Sequence, residues 1–237
     1  MEKERSPKAD VLEIFSSVQG EGPFVGIKQI FIKFAACNVT CKFCDLERNL
    51  PPKEFSIEKL LSVVKQICVN SGDHHSMSLT GGEPLLYKNF LKDFLPRIKK
   101  EHKDLKVYLE TNSTLVHSLK EIIDFVDIIA MDFKLPTSTG TKDYWKEHKE
   151  FLSVARKKNC FVKVVITNET RESDIKKAVN VICGIDKDLL LVLQPVWPVR
   201  NIERAKTSLL FDYLFLAERR LNNVRIMPQM HKVLRVR

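Results

Sequence analysis

Strand-like and helix-like segments alternate along most of the 237-residue chain. Residues 28–36 read as a strand rich in Ile and Phe, and residues 56–70 as a helix whose apolar side chains share one face. Further strands are predicted at 77–80, 106–110, 127–133, 161–166, 189–193 and 224–227, and further helices at 89–102, 115–125, 143–158, 173–183 and 204–221. Because such alternation is typical of parallel sheets, we expect an α/β fold, a partial (open) TIM-type barrel of about six β/α units. A chain of this length suits a single domain over residues 1–237.

A run of three closely spaced cysteines follows the first of these strands. Cys37, Cys41 and Cys44 form the pattern C-x3-C-x2-C, so one loop can present three thiolates to a metal centre. A [4Fe–4S] cluster normally has four cysteine ligands, so three would leave one iron free to bind a substrate or cofactor. A zinc site would require a fourth Cys or His nearby, and the next cysteine, Cys68, lies 24 positions further on. The spacing therefore favours an iron–sulfur cluster.

Two glycine-containing runs are further candidate sites. The run 80–84, Thr-Gly-Gly-Glu-Pro, lies at the end of the predicted strand 77–80. Adjacent glycines let a backbone approach a ligand closely and expose its amides, although alone they more often mark only a turn. The run 14–26, Ile-Phe-Ser-Ser-Val-Gln-Gly-Glu-Gly-Pro-Phe-Val-Gly, reads by itself as a hairpin between two apolar strands. In β/α folds the chemistry lies at the carboxyl ends of the strands, where the cysteine run and the Thr-Gly-Gly-Glu-Pro run both fall.

The cysteines and the Gly-Gly-Glu-Pro run together resemble those of the radical S-adenosylmethionine enzymes. In that family the methionine part of the cofactor fills the open iron position, and the glycine run holds its amino group. The full set of motifs, in order, closely resembles the 7-carboxy-7-deazaguanine synthase family. The motifs that carry this resemblance are Gln19-Gly20-Glu21-Gly22, Ile30 to Cys37, Leu109-Glu110-Thr111-Asn112, Asp132 to Pro136, Leu193-Gln194-Pro195 and Gln229-Met230-His231-Lys232.

The resemblance implies a reaction. A reduced cluster cleaves S-adenosylmethionine to methionine and a 5′-deoxyadenosyl radical, which takes a hydrogen from carbon 6 of 6-carboxy-5,6,7,8-tetrahydropterin. The ring contracts, ammonia leaves and 7-carboxy-7-deazaguanine forms, a step toward queuosine and related deazapurines. The cofactor supplies the radical, and the protein supplies binding, orientation and shielding. The resemblance also implies an electron donor such as flavodoxin or ferredoxin and, as a prior expectation only, a homodimer.

The resemblance also implies roles for individual residues. Cys37, Cys41 and Cys44 would hold the cluster. The cofactor-binding positions would be Phe43, Cys44, Asp45, Gly82, Glu83, Asp132, Phe133, Lys134, Gln194, Pro195, Val196 and Trp197. The substrate-binding positions would be Val18, Gln19, Gly20, Lys33 and Thr80. A glutamine side chain and backbone amides provide the paired donors and acceptors that a pterin edge requires. Without the family context, Asp132 and Lys134 would be read as a surface ion pair.

Two positions depart from the family pattern. Lys33 stands where the family usually has an arginine that grips the substrate carboxylate, and lysine keeps the charge but loses the planar two-pronged contact. Read alone, Lys33 would be an exposed strand residue. Leu46 stands where the family carries a Thr or Ser whose hydroxyl helps to bind Mg²⁺, which requires oxygen ligands. The magnesium site is therefore in doubt, with Glu47 or a water as substitutes. The terminal carboxylate of Arg237 lies at the family's expected distance after His231.

Composition sets limits on partners and location. No apolar run reaches the roughly 18 residues of a membrane span, and nothing after Met1 resembles a signal peptide, so we expect a cytoplasmic protein with no membrane partner. Cys68, Cys160 and Cys183 are expected to be buried free thiols rather than a disulfide framework. The net charge of +9 is spread along the chain, which favours a solvated surface over direct nucleic-acid binding. An anionic small substrate is a second explanation for this charge.

Three alternatives remain open at the level of sequence. The substrate could be a different but related pterin. An activase that places a glycyl radical on a partner protein would share the cysteines and the glycine pair, but it would need neither Gln-Gly-Glu-Gly nor the run 229–232. An iron–sulfur electron carrier would hold iron without cleaving S-adenosylmethionine, and it usually closes all four ligand positions of its cluster.

Overall fold

A computed structural model describes residues 6–46 and 50–236, and the nine strands within these ranges form one sheet. The strands are β1 (Ala9–Val18), β2 (Lys28–Phe34), β3 (Lys53–Phe55), β4 (Ser76–Gly81), β5 (Lys106–Thr111), β6 (Ile128–Asp132), β7 (Asn159–Ile166), β8 (Leu191–Pro195) and β9 (Val224–Ile226). The helices are α1 (Ile57–Ser71), α2 (Lys88–Glu101), α3 (Val116–Ile122), α4 (Pro136–Thr139), α5 (Trp145–Ala155), α6 (Glu172–Cys183), α7 (Thr207–Glu218) and α8 (Met230–Leu234). Short 3₁₀ turns cover Gly22–Phe24, Pro84–Tyr87 and Ile123–Phe125.

The strand order is β3-β1-β2-β4-β5-β6-β7-β8-β9. β1 pairs antiparallel with β2 and with β3, and every pair from β2 to β9 is parallel. A helix of seven residues or more lies between each of the six strands β2, β4, β5, β6, β7 and β8 and the next parallel strand, with β3 intervening after β2 and the short α4 after β6. The prediction of an α/β, partial barrel of about six β/α units is confirmed, with β3 and β9 as the two open edges of the sheet.

The two faces of the sheet have different chemistry because successive side chains on a strand point to opposite faces. On β4 and β5, Met77, Leu79, Val107 and Leu109 point outward and join the large apolar core beneath the helices. Their neighbours on the same strands, such as Ser78 and Glu110, point inward and meet across the concave face. The apolar half of each strand therefore anchors the sheet, and the polar half is available for a site.

The sheet curls strongly. Glu21, just after β1, forms an ion pair with Lys163 of β7, although four strands separate β1 from β7 in the sheet order. In a flat sheet the two strands would lie about 24 Å apart, at about 4.8 Å per strand. The contact therefore shows that the strands bend round into an incomplete barrel with a concave interior.

The β1–β2 hairpin closes the lower end of this interior. Phe24 in the hairpin packs edge-on against Tyr108 of β5, with ring centroids 5.5 Å apart. A second apolar cluster lies beneath the site and consists of Tyr108, Ile128, Ala130, Phe161, Leu190 and Val192, with Phe24 and Met227 packed against it. Gly22 lies against the Phe161 ring, since a Cβ there would come within 2.6 Å of it. The hairpin thus forms a floor, and the opposite end, where the parallel strands finish, stays open.

Several local details differ from the sequence expectation. The predicted hairpin is confirmed, but β3, α4 and α8 were not predicted, since all three are five residues long or shorter. The helix expected over 204–221 is the shorter Thr207–Glu218. Cys68, Cys160 and Cys183 are free thiols as expected, but they are only partly buried. Among the described residues, no helix combines the length and apolar character that crossing a membrane requires.

Candidate active site

A cavity of about 490 Å³ lies inside the curl, at the carboxyl ends of the parallel strands. Its walls are inward-facing strand residues, including Phe31, Thr80, Asp132 and Gln194, and its rim includes the cysteine loop. The carboxyl ends of parallel strands are the usual location of active sites in β/α barrels. This cavity is therefore the candidate active site.

All three clustered cysteines line one wall of the cavity. The loop that carries them is anchored from below, where the Lys42 amide donates to the Thr139 carbonyl over 2.9 Å and the Lys42 side chain packs on Gly140. Burial raises the pKa of the Cys41 thiol to about 11 and that of the Cys37 thiol above its ordinary value, while the Lys134 ammonium opposes both shifts. Metal coordination deprotonates such thiols directly, so these are suitable ligands for iron.

The cysteine loop spreads its thiols instead of gathering them around one point. Within residues 6–46 and 50–236, no three Cys, His, Asp or Glu side chains converge closely enough to hold a single ion. A tetrahedral zinc site requires four ligands around one centre. In a [4Fe–4S] cluster, by contrast, each cysteine binds a different iron of a larger cage.

The Gly81-Gly82 pair allows two backbone segments to cross beside the first cysteine. The Gly82 amide donates to the Phe34 carbonyl over 2.8 Å, and the Glu83 amide donates to the Ala36 carbonyl over 2.7 Å. A Cβ at Gly82 would lie 2.1 Å from the Ala36 oxygen, and Gly81 has a φ of 101° that favours glycine. The glycines therefore fix the strand end that leads into Cys37, in addition to lining the cavity.

Glu83 ties this crossing to the end of β5. Its carboxylate is fully buried and accepts hydrogen bonds from the Leu85 amide, the Thr111 hydroxyl and the Asn112 amide over 2.7–3.1 Å. Asn112 in turn directs its side-chain amide toward Asn38 Oδ1 at 2.8 Å and toward Cys37 Sγ at 3.9 Å. A continuous set of contacts thus runs from Glu83 to the first cysteine.

His148 of α5 joins the ends of β5 and β6 behind the cysteine loop. It is fully buried and stacks on Phe133 with ring centroids 4.4 Å apart. Its Nε2 accepts from the Lys134 amide over 3.0 Å, so its Nδ1–H donates to the Ser113 carbonyl over 3.3 Å. The bond that Nε2 accepts requires a neutral ring, and burial lowers the pKa of His148 to about 4. His148 therefore holds the backbone of Lys134 in place.

Asp132 and Lys134 form an ion pair with 2.9 Å between Oδ2 and Nζ. The pair is not at the surface, since the two side chains are only 16% and 14% exposed and both line the cavity. The interpretation as a solvated surface pair is therefore wrong. Lys134 Nζ also lies 5.9 Å from the centre of the Phe43 ring. Phe43 stands between Cys41 and Cys44 in the sequence. The ion pair consequently places a positive charge beside the cysteine loop.

Deeper in the cavity, Gln19 organises the floor. Its Oε1 accepts from the amides of Gly20 and Glu21 over 2.8 and 3.0 Å. Its Nε2 donates to Gln29 and Glu110, each over 3.0 Å. All the hydrogen-bonding capacity of the Gln19 side chain is thus used within the protein. Glu110 also accepts from the Ser78 hydroxyl over 2.8 Å, and burial, together with the charge of Glu21, raises its pKa.

The segment 229–236 closes one side of the cavity. The Met230 amide donates to the Gly20 carbonyl over 2.8 Å, and Gln229 donates to Glu21 over 2.7 Å. Lys232 pairs with Asp45 of the cysteine loop at 3.0 Å. This segment therefore connects the floor with the rim that carries the cysteines.

The radical SAM superfamily model matches residues 31–180, more than half of the chain. The chain is 38% identical to the 7-carboxy-7-deazaguanine synthase of Geobacter sulfurreducens, over 95% of this chain and 97% of the relative. It is 31% identical to the 7-carboxy-7-deazaguanine synthase of Archaeoglobus fulgidus, over 97% of this chain and 100% of the relative. The chain belongs to the 7-carboxy-7-deazaguanine synthase family. The recognition of this family from sequence is confirmed, and so is the expectation of an enzyme.

Solved structures agree with this at the level of the fold. The crystal structure of QueE from Escherichia coli covers 94% of this chain and 95% of its own, with a TM-score of 0.64 and 20% identity. A radical SAM methyltransferase from Sphaerobacter thermophilus covers 88% of this chain and 67% of its own, with a TM-score of 0.62 and 10% identity. Membership of the radical SAM superfamily implies a [4Fe–4S] cluster and S-adenosylmethionine as cofactors.

The residues present fit these cofactors. Asp132 Oδ1 and Gln194 Oε1 are buried acceptors with no hydrogen-bond partner in the described part of the chain, and both residues line the cavity. Buried polar atoms in proteins normally have a partner. S-adenosylmethionine carries an amino group and hydroxyls that donate hydrogen bonds. The two orphaned oxygens therefore suit this ligand in a family member.

The cavity brings together most of the residues predicted from sequence. Those that line it are Val18, Gln19, Gly20, Lys33, Cys37, Cys41, Phe43, Cys44, Asp45, Leu46, Thr80, Gly82, Asp132, Lys134, Gln194, Val196 and Trp197. Glu83, Phe133 and Pro195 do not line it. Glu83 and Phe133 instead pack behind the wall in the contacts described above, and Pro195 lies in the β7–β8 ladder. Glu47 and Arg237 lie outside the described residues.

Sequence reasoning assigned no role to four residues that shape this site. They are Glu110, Asn112, His148 and Lys163. Glu110 and Asn112 fall inside a motif that carries the family resemblance. The motif marks these positions but does not reveal which groups they contact. His148 and Lys163 lie at no motif, and only the three-dimensional contacts reveal them.

We expect Gly82→Ala to reduce iron content and stability. The new Cβ would clash with the Ala36 carbonyl, and overpacking of this kind costs about 1–3 kcal/mol. Because Ala36 precedes Cys37, the relaxation displaces a cysteine that is predicted to bind the cluster. Iron per protein after oxygen-free reconstitution, together with chemical denaturation, measures both effects. Gly184→Ala is the control, since its Cβ would meet the Asn180 carbonyl at the milder distance of 3.2 Å and Gly184 does not line the cavity. Equal iron content in the two variants would contradict the assignment.

We expect His148 to make the protein sensitive to acid. The pKa of the buried ring is about 4, against 6.5 for an ordinary histidine, so the unfolded chain takes up a proton first as the pH falls. Stability is therefore lost between about pH 6.5 and pH 4, by up to about 3 kcal/mol. Denaturation at several pH values should show a shallower loss for His148→Gln. His117→Gln, at an exposed position, should keep the wild-type slope, and an identical slope in all three proteins would refute the assignment.

Proposed function

We propose that this chain is a 7-carboxy-7-deazaguanine synthase that converts 6-carboxy-5,6,7,8-tetrahydropterin to 7-carboxy-7-deazaguanine with loss of ammonia. The observation that carries the proposal is a single cavity with three cysteines at its rim and a floor of buried hydrogen-bonding groups. Its volume of about 490 Å³ is in the range of small-molecule sites. The full-length similarity to enzymes of that name supports the same substrate class.

When bound, the cluster and S-adenosylmethionine supply the radical that begins the reaction. Cys37, Cys41 and Cys44 are the proposed cluster ligands. The amides and side chains proposed to hold S-adenosylmethionine are Phe43, Cys44, Asp45, Gly82, Asp132, Lys134, Gln194, Val196 and Trp197, all of which line the cavity. Asp132 Oδ1 and Gln194 Oε1 are the acceptors still without a partner among the described residues.

The floor suits a pterin. A pterin edge presents neighbouring N–H donors, which a carboxylate can accept in a paired contact. In this chain Glu110 can offer only one such acceptor, its Oε2, which accepts no hydrogen bond from the described residues, because its Oε1 already accepts from Gln19 and Ser78. We assign Gln19 to positioning, since its own side-chain groups are all engaged. Val18, Gly20 and Thr80 complete this proposed substrate-binding surface.

Lys33 is the proposed partner of the substrate carboxylate. It is not a fully exposed strand lysine, since it lines the cavity and its side chain is partly covered. Its Nζ lies 3.1 Å from Glu13 and 5.0 Å from the centre of the Phe15 ring. Both neighbours also line the cavity, so the ammonium lies at its wall. A single ammonium would bind a carboxylate without the two-pronged geometry of arginine.

Magnesium does not fit the family position in this chain. Leu46 lines the cavity and offers no oxygen ligand, and the neighbouring Asp45 carboxylate is paired with Lys232. We therefore propose that the reaction proceeds without a Mg²⁺ ion at this position.

Further parts of the proposal concern the surroundings of the enzyme. We propose one domain over residues 1–237, a reducing, cytoplasmic location and an electron donor such as flavodoxin or ferredoxin. The six unpaired cysteines support the reducing compartment. A homodimer is proposed only because isologous dimers are the commonest oligomers.

The deciding experiment is turnover by oxygen-free, reconstituted and reduced protein. With S-adenosylmethionine and 6-carboxytetrahydropterin, we expect mass spectrometry to detect 7-carboxy-7-deazaguanine without any protein partner, which also excludes a glycyl-radical activase. If 5′-deoxyadenosine forms without deazaguanine, the substrate assignment is wrong. If neither forms although iron is bound, the chain is better described as an electron carrier.

A second measurement tests the metal. We expect the wild-type rate to be unchanged when Mg²⁺ is omitted, because Leu46 provides no ligand. Leu46→Thr restores an oxygen at this position and should make the rate respond to added Mg²⁺. A wild-type rate that collapses without Mg²⁺ would show that another group binds the ion.

A further inference from the structure

Lys163 is a buried cation at the centre of the cavity that no sequence motif explains. It lies in the middle of β7, with a side chain only 11% exposed, and it lines the cavity. Burial opposes its charge, yet the surrounding carboxylates raise its pKa. A buried charge persists only where partners compensate for the loss of water. The partners of Lys163 therefore indicate its role.

Those partners come from opposite ends of the cavity. On the floor, Lys163 pairs with Glu21 Oε2, while Glu21 Oε1 accepts from Gln229 over 2.7 Å. Toward the rim, Lys163 Nζ lies 3.4 Å from Asp132 Oδ2, whose other close cation is Lys134. Lys163 thus bridges the hairpin that forms the floor and the strand end beside the cysteine loop.

The bridge determines which oxygen of Asp132 is available. Both lysines approach Oδ2, and Oδ1 has no partner in the described part of the chain. On the floor, both oxygens of Glu21 are occupied, and the neighbouring Gln19 fixes the backbone amide of Glu21. Loss of the Lys163 ammonium would therefore free the carboxylates of Glu21 on the floor and of Asp132 near the rim at the same time.

We propose that Lys163 is a positioning residue that fixes Glu21 and Asp132 relative to one another, and so sets the alignment of the substrate with the cofactor. The proposal rests on the proposed function. It also implies a specific defect in a variant without Lys163. S-adenosylmethionine and the pterin still bind, but fewer cofactor cleavages lead to hydrogen transfer from the substrate. Misplacement by about 1 Å can cost about 10²-fold in rate.

The charges around Lys163 give the proposal a pH signature. The titratable groups that face it are Glu21 from the hairpin, Glu110 from β5, Asp132 and Lys134 at the end of β6, and His231 from α8. Burial raises the pKa of Glu21, but the charge and hydrogen bond of Lys163 outweigh this effect and contribute to a pKa of about 2. Without it, burial and the nearby Glu110 raise the pKa of Glu21, so the carboxylate gains a proton as the pH falls.

The test compares Lys163→Met and Lys163→Arg with the wild type as reconstituted holoenzymes. For Lys163→Met we expect kcat/KM for the pterin to fall about 10²-fold, and 5′-deoxyadenosine to exceed deazaguanine in the products. Its kcat/KM should rise with pH, in contrast to the wild type. Lys163→Arg keeps the charge and should recover most of the coupling and the wild-type pH profile.

A binding readout separates positioning from general damage. Calorimetric titration with 7-carboxy-7-deazaguanine should give, for Lys163→Met, an affinity that rises with pH. Lys99→Met is the matched control, because it also removes a partly buried lysine from an ion pair, with Asp127, far from the cavity. Iron content and circular dichroism verify folding. If Lys163→Met does not fold, Glu21→Gln tests the same bridge from its other end and should uncouple the two products.

The outcomes are distinct. If the wild type makes no deazaguanine, the proposed function fails and this inference fails with it. If the wild type is active and Lys163→Met or Glu21→Gln keeps the wild-type ratio of 5′-deoxyadenosine to deazaguanine, the proposed function stands and the role of Lys163 is overturned. If Lys163→Arg shows the same loss of coupling as Lys163→Met, the charge of Lys163 is not what aligns the substrate, and the proposed bridge is overturned.

Discussion

The curl of the parallel sheet is the constraint on which the rest of the structure depends. It brings the hairpin after β1 against β7 across four intervening strands, so residues far apart in the sheet order share one cavity. The outward half of each strand stabilises this shape by burial beneath the helices. The inward half is then free to carry hydroxyls, carboxylates and ammonium groups. Scaffold and site are thus built from alternate residues of the same strands.

The backbone around the cysteine loop is fixed by contacts that do not involve the cofactors. The glycine crossing, the buried Glu83 carboxylate and the neutral His148 ring each tie one strand end to the next. Together they hold the ends of β2, β4, β5 and β6 in register. Such preorganisation matters because reacting groups must be held close to their productive geometry. The loop that carries the three cysteines is therefore supported on all these strand ends.

The fold and the chemistry of the rim could be predicted from local patterns. Strand–helix alternation predicted the parallel sheet, and the spacing of Cys37, Cys41 and Cys44 predicted that they share one site, where the structure places all three. The interior charges could not be predicted, because the partners of Lys163 lie about 30 to 140 positions away and meet only through the curl. Gln19 is a different case, because the motif identified the residue as part of the site. Only the structure shows that all its side-chain hydrogen bonds are made to other protein groups.

The contacts of α8 have a consequence for the order of assembly. The Met230 amide meets the Gly20 carbonyl, and Lys232 meets Asp45, so the floor and the rim are each completed by residues synthesised some 200 positions later. A nascent chain on the ribosome can form the sheet up to β8 while this side of the cavity is still open. The floor and this part of the rim are therefore completed only when α8 has been synthesised and has docked against both.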